Sequence, residues 1–313
     1  MKQIVSIIIP TFNRAHLIGE TLDSILQQSF QNWECIIVDD GSTDDTEKFI
    51  ETYSKKDARF IYLSRPEKIK KGANSCRNYG YSNSNGDYIK WLDSDDILLP
   101  KAIENQYNLF SNGSPDVVVS KLEFIDFKTK NRIKVNAIQS DDLIYDYFIG
   151  KIAFYVSGPL WKKSFLEKQE VLFDEKISNL DDWDFNLRML YNRPKIVFDD
   201  TLVVQYRIHN DSLTSEILKL NHKELKSELL ARDKHLLLIK EHKLANYSSF
   251  QVYSKDRSKF ILREVLFHKK KHKMFYLKHL LFSQYRCNNF LEIPKTIFAY
   301  LLFRLFNVGF KYL

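Results

Sequence analysis

The sequence predicts an α/β fold: a Rossmann-like, mainly parallel sheet flanked by helices, with a C-terminal helical, basic appendage. Three observations lead there. Runs of β-branched residues alternate with amphipathic helical stretches through the first hundred residues. Polar, acidic clusters fall at the ends of the apolar runs. After Leu213 the chain turns to Leu, Lys, Phe, Tyr and His with almost no Gly or Pro.

Taken in order, "IVSIII" (4–9) is a continuous apolar run that suits a strand buried on both faces. "HLIGETLDSILQQ" (16–28) sets Leu17, Ile18, Thr21, Leu22, Ile25 and Leu26 on one helical face. "ECIIVDD" (34–40) is a second strand. "TDDTEKFIETYSK" is a helix, with Ser42 or Thr43 as its N-cap and acidic residues in its first turn. "RFIYL" (59–63), a helix near 73–83 and "DYIKWL" (87–92) complete the alternation. Such sheets bind ligands beyond the carboxyl ends of their strands, where "PTFNR", "DDGSTDD" and "DSDD" fall. From 115 to 214 the rhythm loosens: "DVVVS", "KIVFDD" and "LVVQYRI" read as strands, and "NLDDWDFNLRMLY" (179–191) as a helix.

The 313 residues suffice for one large domain or two smaller ones. A chain with 44% hydrophobic and 14% aromatic residues is globular, not disordered. Its net charge of +7 is uneven: from Ser215 onward there are 20 Lys and Arg against 8 Asp and Glu, and before it 27 against 32. An acidic front and a basic back suit different partners. Cys35, Cys76 and Cys287 are odd in number and far apart, which fits neither a disulfide framework nor a thiolate metal site, and suggests a reducing compartment. "MKQIVSIIIP" reads as a first strand and not a signal peptide, because Pro10 ends the run and no small-residue cleavage site follows.

Several clusters carry chemistry. Asp39 and Asp40 run into Gly41 and Ser42, either to recognise a ribose or polar ring edge or simply to start a helix. The glycine-rich dinucleotide fingerprint and the phosphate-binding loop of P-loop enzymes do not occur, so neither chemistry is supported. In "DSDD" (93–96), Asp93 and Asp95 are two apart on an extended segment and can reach one hard cation together. Such an ion can bridge a diphosphate and neutralise charge developing on it. The alternative is that Asp95 or Asp96 caps a helix beginning near Leu98, which needs one carboxylate and leaves two unexplained. In "LDDWDFNLR" (180–188), Asp184 and Arg188 are i,i+4 partners. Asp181 and Asp182 sit at the helix start, favoured by its dipole, unless one faces the cleft as a general base. His209 is a ligand or a polar loop residue.

Together and in this order, "SIIIPTFNR" (6–14), "VDDGSTDDT" (38–46), "CRNYGYSNSNGDYIKWLDSDD" (76–96), "FDEKISNLDDWDFNLRM" (173–189) and "YRIHNDSLT" (206–214) resemble the family 2 glycosyltransferases, enzymes of the GT-A fold. The resemblance spans about two-thirds of the chain and stops near residue 214. It implies a GT-A domain over 1–214, with a nucleotide-sugar half (1–100) and an acceptor and catalytic-base half (101–214). Residues 215–313 would be a helical, basic, membrane-associating region. By the same resemblance Pro10, Thr11 and Asn13 line the nucleotide pocket, Asp40 and Asp39 read base or ribose, and Arg77 lies near the donor diphosphate, whose oxygens suit a guanidinium. Asp93, Ser94 and Asp95 match the Asp-X-Asp motif, with Asp95 the direct ligand of Mg²⁺ or Mn²⁺ and Asp93 beside it. His209 aligns with a histidine that completes the metal site. Asp182 aligns with the catalytic base, and Asp181 stands where the family commonly has Glu. Gly158, in "VSGPLW", would shape the acceptor side.

The implied activity is metal-dependent, inverting transfer from a nucleotide-sugar to a hydroxyl of a saccharide acceptor, lipid-linked, in bacterial surface-polysaccharide synthesis. A UDP-sugar is the favoured donor, with GDP or dTDP as alternatives. The rivals are a polyprenyl-phosphate sugar synthase, whose ionised acceptor needs no base, and an inactive membrane-associated scaffold.

In the tail, "FHKKKHKMFYLKHLLF" (267–282) interleaves cations and aromatics without any nucleic-acid-binding motif, so no nucleic acid is expected as a partner. In "IPKTIFAYLLFRLFNVGFKYL" (293–313), Thr296, Tyr300, Arg304, Asn307 and Lys311 recur at helical spacing against Ile, Leu and Phe. Arg304, well inside the segment, argues against a transmembrane span. A helix lying in the interface of an anionic membrane fits better, the alternative being packing on the domain or on a second copy in a homo-oligomer. The expected location is cytoplasmic, peripheral at the inner face of the cell membrane.

Overall fold

The run at 4–9 becomes β1 (Val5–Thr11), buried along its whole length. β2 (Trp33–Asp39), β3 (Phe60–Ser64) and β4 (Tyr88–Trp91) join it in parallel, in the order β3-β2-β1-β4. The computed structural model describes residues 3–111, 113–209, 219–306 and 308, and divides into two units, Met1–Asn210 and Asp211–Leu313.

Strand periodicity explains why these runs are apolar throughout. Ile7, Ile9, Cys35 and Ile37 share the main core with Ile18, Leu22 and Ile25 of α1 (Ile18–Leu26) and Ile50 of α2 (Thr46–Lys56). The alternate residues Ile36 and Val38 pack on Cys76 of α3 (Ala73–Ser82) on the opposite face. Each such isoleucine or valine contributes roughly 1.5–3 kcal/mol by its burial. Neither Ser42 nor Thr43 caps α2. Asp45 holds the N-cap position without a side-chain capping bond, while Asp44 Oδ1 accepts from the Thr46 N–H at 3.1 Å.

Beyond β4 the sheet is mixed. The helix expected near Leu98 gives way to the short β5 (Ile97–Leu98), and α4 (Ala102–Asn108) begins four residues later. β6 (Val117–Asp126), β7 (Arg132–Val135), α5 (Leu143–Phe148), β8 (Pro159–Lys162), α6 (Lys163–Leu166), α7 (Asp181–Tyr191) and β9 (Ile196–Ile208) follow. The sheet order is β3-β2-β1-β4-β8-β6-β9-β5, with β7 on the side of β6. β8 is inserted between β4 and β6 and runs against both, so the run of parallel neighbours is interrupted after β4. "KIVFDD" and "LVVQYRI" are one strand, not two. It pairs in parallel with β6 through a register shift near Lys121, where Ser120 Oγ donates to Asp199 Oδ2 at 3.0 Å.

Gly158 lies in this packed region. A Cβ there would stand 2.3 Å from the Phe154 carbonyl oxygen and 3.1 Å from that of Ser120. Its own carbonyl accepts from Gln106 Nε2 at 2.7 Å. The position requires a glycine because the chain at 154 and the strand β6 approach it so closely.

The second unit contains α8 (His222–Glu241), α9 (Tyr247–Phe267), α10 (Lys273–Arg286) and α11 (Glu292–Phe306). Its core draws on all four helices, with Leu225 and Leu229, Ile261 and Leu262, Tyr276 and Leu280, and Ala299 and Tyr300 in one cluster. His279 ties three helices, its Nε2 meeting Asp233 Oδ2 and its Nδ1 meeting Ser258 Oγ, both at 3.1 Å. Among the described residues no helix is long and apolar enough to cross a membrane. Asn307 and Lys311, and the chain after His209 through Leu218, lie outside the described residues.

Candidate active site

The carboxyl ends of β1, β2 and β4 lie side by side, Thr11 in register with Asp39 and Ile8 with Trp91. Pro10 and Thr11 are buried at the end of β1, and Thr11 Oγ1 has no hydrogen-bond partner. Asn13 adopts a left-handed conformation, φ 52°, which Asn tolerates better than most side chains. Its N–H donates to Ser42 Oγ and its Oδ1 accepts from the Thr43 N–H, each at 2.8 Å. These bonds clamp the loop after β1 to the loop after β2.

Asp39 Oδ1 accepts from the Ser42 N–H at 2.7 Å and Oδ2 from the Tyr62 hydroxyl at 3.3 Å. The buried Asp40 is paired with Arg65, whose Nε donates to Oδ1, and the Asp40 N–H donates to the Thr11 carbonyl at 2.9 Å. The acidic pair is thus held rigidly by its own partners. Carboxylates have about four lone-pair sites, which leaves acceptor capacity on both.

The "DSDD" segment separates into distinct fates. Asp93 Oδ1 accepts from Arg77 Nη2 at 2.8 Å. The same guanidinium reaches Asp181 Oδ2 at 2.6 Å and Asn74 Oδ1 at 3.0 Å through Nη1. Burial works against the charge on Arg77, and Asp93 and Asp181 outweigh it, raising its pKa. Ser94 is buried and its carbonyl accepts from Thr21 Oγ1 at 3.0 Å. Asp95 Oδ2 lies 2.9 Å from His209 Nε2. Burial opposes ionisation of Asp95, but the hydrogen bond and charge of His209 hold its pKa below the usual range. Asp96 does not cap a helix. It is buried, its Oδ1 accepts from the Arg207 N–H at 3.2 Å, and its Oδ2 has no partner. Burial, with the charges of Asp95 and Asp93 beside it, pushes its pKa well up.

Arg77 therefore departs from expectation. Only 6% exposed, its side chain closes on two carboxylates and an amide, joining the end of β4 to the start of α7. Through it the segments at 93–95 and 181–182 meet. Asp182, in the first turn of α7, accepts the Trp183 N–H at 2.7 Å. Burial, then the charge of Asp181, pushes its pKa up to about 7. Asp184 instead faces the core, bonded to Arg188 at 2.9 and 3.0 Å, and Arg188 also donates to the Leu172 carbonyl. That pair fastens α7 to the preceding loop.

Sequence reasoning missed Arg207. Fully buried, it donates to Glu20 Oε2 at 2.7 Å and through Nε to the Asp95 carbonyl, fixing the backbone that carries Asp95. The available signal was its spacing: two residues before His209 on an extended strand, it shares that residue's face.

Among the described residues no three His, Cys, Asp or Glu side chains come close enough together to hold an ion. The donors present fit a different kind of site. Mg²⁺ is commonly held by one or two carboxylates, with substrate phosphates and water supplying the rest. Asp95 and His209 place an oxygen and a nitrogen donor 2.9 Å apart, a pair that suits such a shell, while Asp93 is occupied by Arg77.

Residues 6–169 match the family model for glycosyl transferase family 2. The chain belongs to this family. It is a glycosyltransferase, 32% identical over 220 residues to a glycosyltransferase of Rickettsia typhi, a match covering 69% of this chain and 67% of that protein. The fold of this family 2 enzyme is like that of S. aureus TarS solved with UDP-GlcNAc, at a TM-score of 0.62 and 15% identity over 96% of this chain and 91% of that one. It is also like the mannosyltransferase PcManGT of Pyrobaculum calidifontis solved with GDP-Man and Mn²⁺, at 0.57 and 13% identity over 98% and 88%. At these identities the likeness is one of fold, the GT-A type. The family match ends before Asp181, Asp182 and His209.

Proposed function

We propose that this enzyme transfers a glycosyl group from a nucleotide-sugar to a hydroxyl of a saccharide acceptor, with inversion at the anomeric carbon and Asp182 as general base. The observation that carries the reading is the Arg77 clasp, which ties Asp181, the neighbour of Asp182, to Asp93, while burial and then the charge of Asp181 push the pKa of Asp182 up to about 7. A base titrating near the working pH is the efficient one. Asp182 accepts the proton of the acceptor hydroxyl. The freed oxygen bonds to the anomeric carbon as the bond to the diphosphate breaks on the opposite side, and that electron pair leaves with the nucleoside diphosphate.

Pro10, Thr11, Asn13, Asp39 and Asp40 serve the nucleotide end, where the clamped loops give a rigid floor. Asp95 and His209 would hold Mg²⁺ or Mn²⁺, which when bound neutralises charge on the departing diphosphate. Arg77 acts as a positioning residue for Asp93 and Asp181. A UDP-sugar is the favoured donor, in keeping with the UDP-GlcNAc carried by TarS, with GDP or dTDP next. A lipid-linked acceptor in surface-polysaccharide synthesis, met at the inner face of the cell membrane, completes the reading, supported by the basic charge of 215–313.

Asp182→Asn tests it. Turnover should fall by about 10²–10⁴-fold, while nucleoside diphosphate binding, followed by thermal shift, persists. Full activity in the variant would replace this reading with transfer to an already ionised phosphate acceptor.

A further inference from the structure

Helix α11 turns its polar stripe inward. Thr296 and Tyr300 are 5% and 2% exposed, and Gln284 Nε2 donates to Thr296 Oγ1 at 2.8 Å. Ala299 and Tyr300 enter the core beside Tyr276, Leu277 and Leu280. At 100° per residue, Phe298, Leu301 and Leu305 lie on the opposite side, and they are 64%, 47% and 70% exposed. The turn before the helix continues the stripe with Phe290 and Leu291, both exposed. In water a surface helix shows the reverse order, apolar side in and polar side out.

The charges around the stripe are of one sign. Lys295 and Arg304 are exposed on its two flanks. The single acid of α11, Glu292, lies toward the packed side, its Oε2 3.5 Å from Gln284 Nε2 and 3.7 Å from Lys255 Nζ. Gln284, late in α10, meets Thr296, early in α11, while Tyr276 and Leu277, early in α10, share a cluster with Ala299 and Tyr300. The two helices therefore run antiparallel, and α11 returns toward the α9–α10 turn. That turn carries exposed Lys269, Lys270 and Lys271 beside exposed Phe267 and Met274.

We propose that α11 docks flat on an anionic bilayer, with Phe298, Leu301 and Leu305 at the acyl boundary, Lys295 and Arg304 at headgroup level, and the lysines of the α9–α10 turn on the same surface. This rests on the reading that 215–313 works at a membrane, and assigns the face that does so. Apolar burial and attraction to anionic lipid act together in such helices. The 15 described residues of α11 are fewer than a span needs. A second copy meeting the same stripe would bring Lys295 and Arg304 against the same cations with no acid on that face to pair them, which opposes self-association.

The test is co-sedimentation of the full chain with vesicles of phosphatidylcholine, alone or mixed with phosphatidylglycerol. The wild type should bind the mixed vesicles and not the neutral ones. The Leu301→Gln, Leu305→Gln double variant should lose at least about tenfold in affinity, with its circular-dichroism melt unchanged. Lys269→Gln, Lys270→Gln, Lys271→Gln should weaken binding less and flatten its salt dependence. As an independent readout, F298W should show blue-shifted fluorescence on mixed vesicles. Unimpaired binding by the leucine variant, with no shift in F298W, would overturn the α11 assignment and leave the membrane reading standing. If the wild type binds neither vesicle, both fall, and a dimer in sedimentation velocity that the leucine variant abolishes would identify a second copy as the occupant.

Discussion

Asp95 and Asp96 are neighbours whose pKa values move in opposite directions, one lowered by His209 and the other raised by burial. Asp182 belongs with the raised group, and its shift has a consequence for stability as well as for rate. The folded state binds this proton up to about pH 7, whereas an unfolded aspartate releases it near pH 4. Folding is therefore favoured by this group below pH 4, and that contribution is lost as pH rises through 7. Asp182→Asn removes the penalty of a buried charge, so the variant should melt a few degrees above the wild type at pH 8 and by a smaller margin at pH 5, a difference of roughly 1 kcal/mol after solvent screening. Differential scanning calorimetry in chelator checks this; an equal offset at both values would contradict it. On the wild-type enzyme, kcat/KM should rise with pH through about 7 as Asp182 ionises. The sequence names Asp182 by its match to the family pattern. Its titration is not legible there, because the shift comes from burial and from an Asp181 held in place by a residue over a hundred positions away.

α3, β4 and α7 meet through one side chain, and this junction shows what element-level reading can reach. The alternation of strand and helix through residue 100 is readable because each element keeps one period for its whole length. β8 is four residues, opening on Pro159 after Gly158, too short to reveal a period, and its antiparallel insertion is set by partners distant in sequence. β9 reads as two strands because Asp199 and Asp200 interrupt its apolar pattern at the register shift. The Arg77 clasp is likewise a tertiary fact. Arg77→Ala would strand Asp93 and Asp181 without their cation, and should cost about 3–5 kcal/mol by denaturant unfolding, as for other buried pairs broken on one side. Arg77→Lys should recover part of that, since an ammonium keeps the charge but not the fork that spans two carboxylates. The losses of Arg77→Ala and Asp181→Asn should also be strongly non-additive. Wild-type stability in Arg77→Ala would show that the junction is held by packing alone.

Across the whole chain, charge sets a problem that the catalytic unit has to solve. Its candidate site gathers Asp39, Asp40, Asp93, Asp95, Asp181 and Asp182, with Arg65 paired to Asp40, Arg77 to Asp93 and Asp181, and Arg14 acting through its charge on Asp95. A nucleoside diphosphate brings further negative charge into this setting, and repulsion between like charges at 4 Å amounts to about 4 kcal/mol near a protein surface. On the proposed reading an added cation at Asp95 and His209, the donor pair that lies outside the Arg77 clasp, would offset that repulsion. The expected outcome is a thermal shift that depends on metal. UDP in chelator should leave Tm almost unchanged, and UDP with Mn²⁺ should raise it by several degrees, since ligand at 100 times its Kd adds about 2.7 kcal/mol. Asp95→Asn and His209→Ala should each abolish the metal-dependent part while folding normally. GDP and dTDP in the same series rank the nucleotide. An equal shift with UDP in chelator would mean that the acidic end accommodates diphosphate through its own hydrogen-bond donors, and the metal would then have no place in this site.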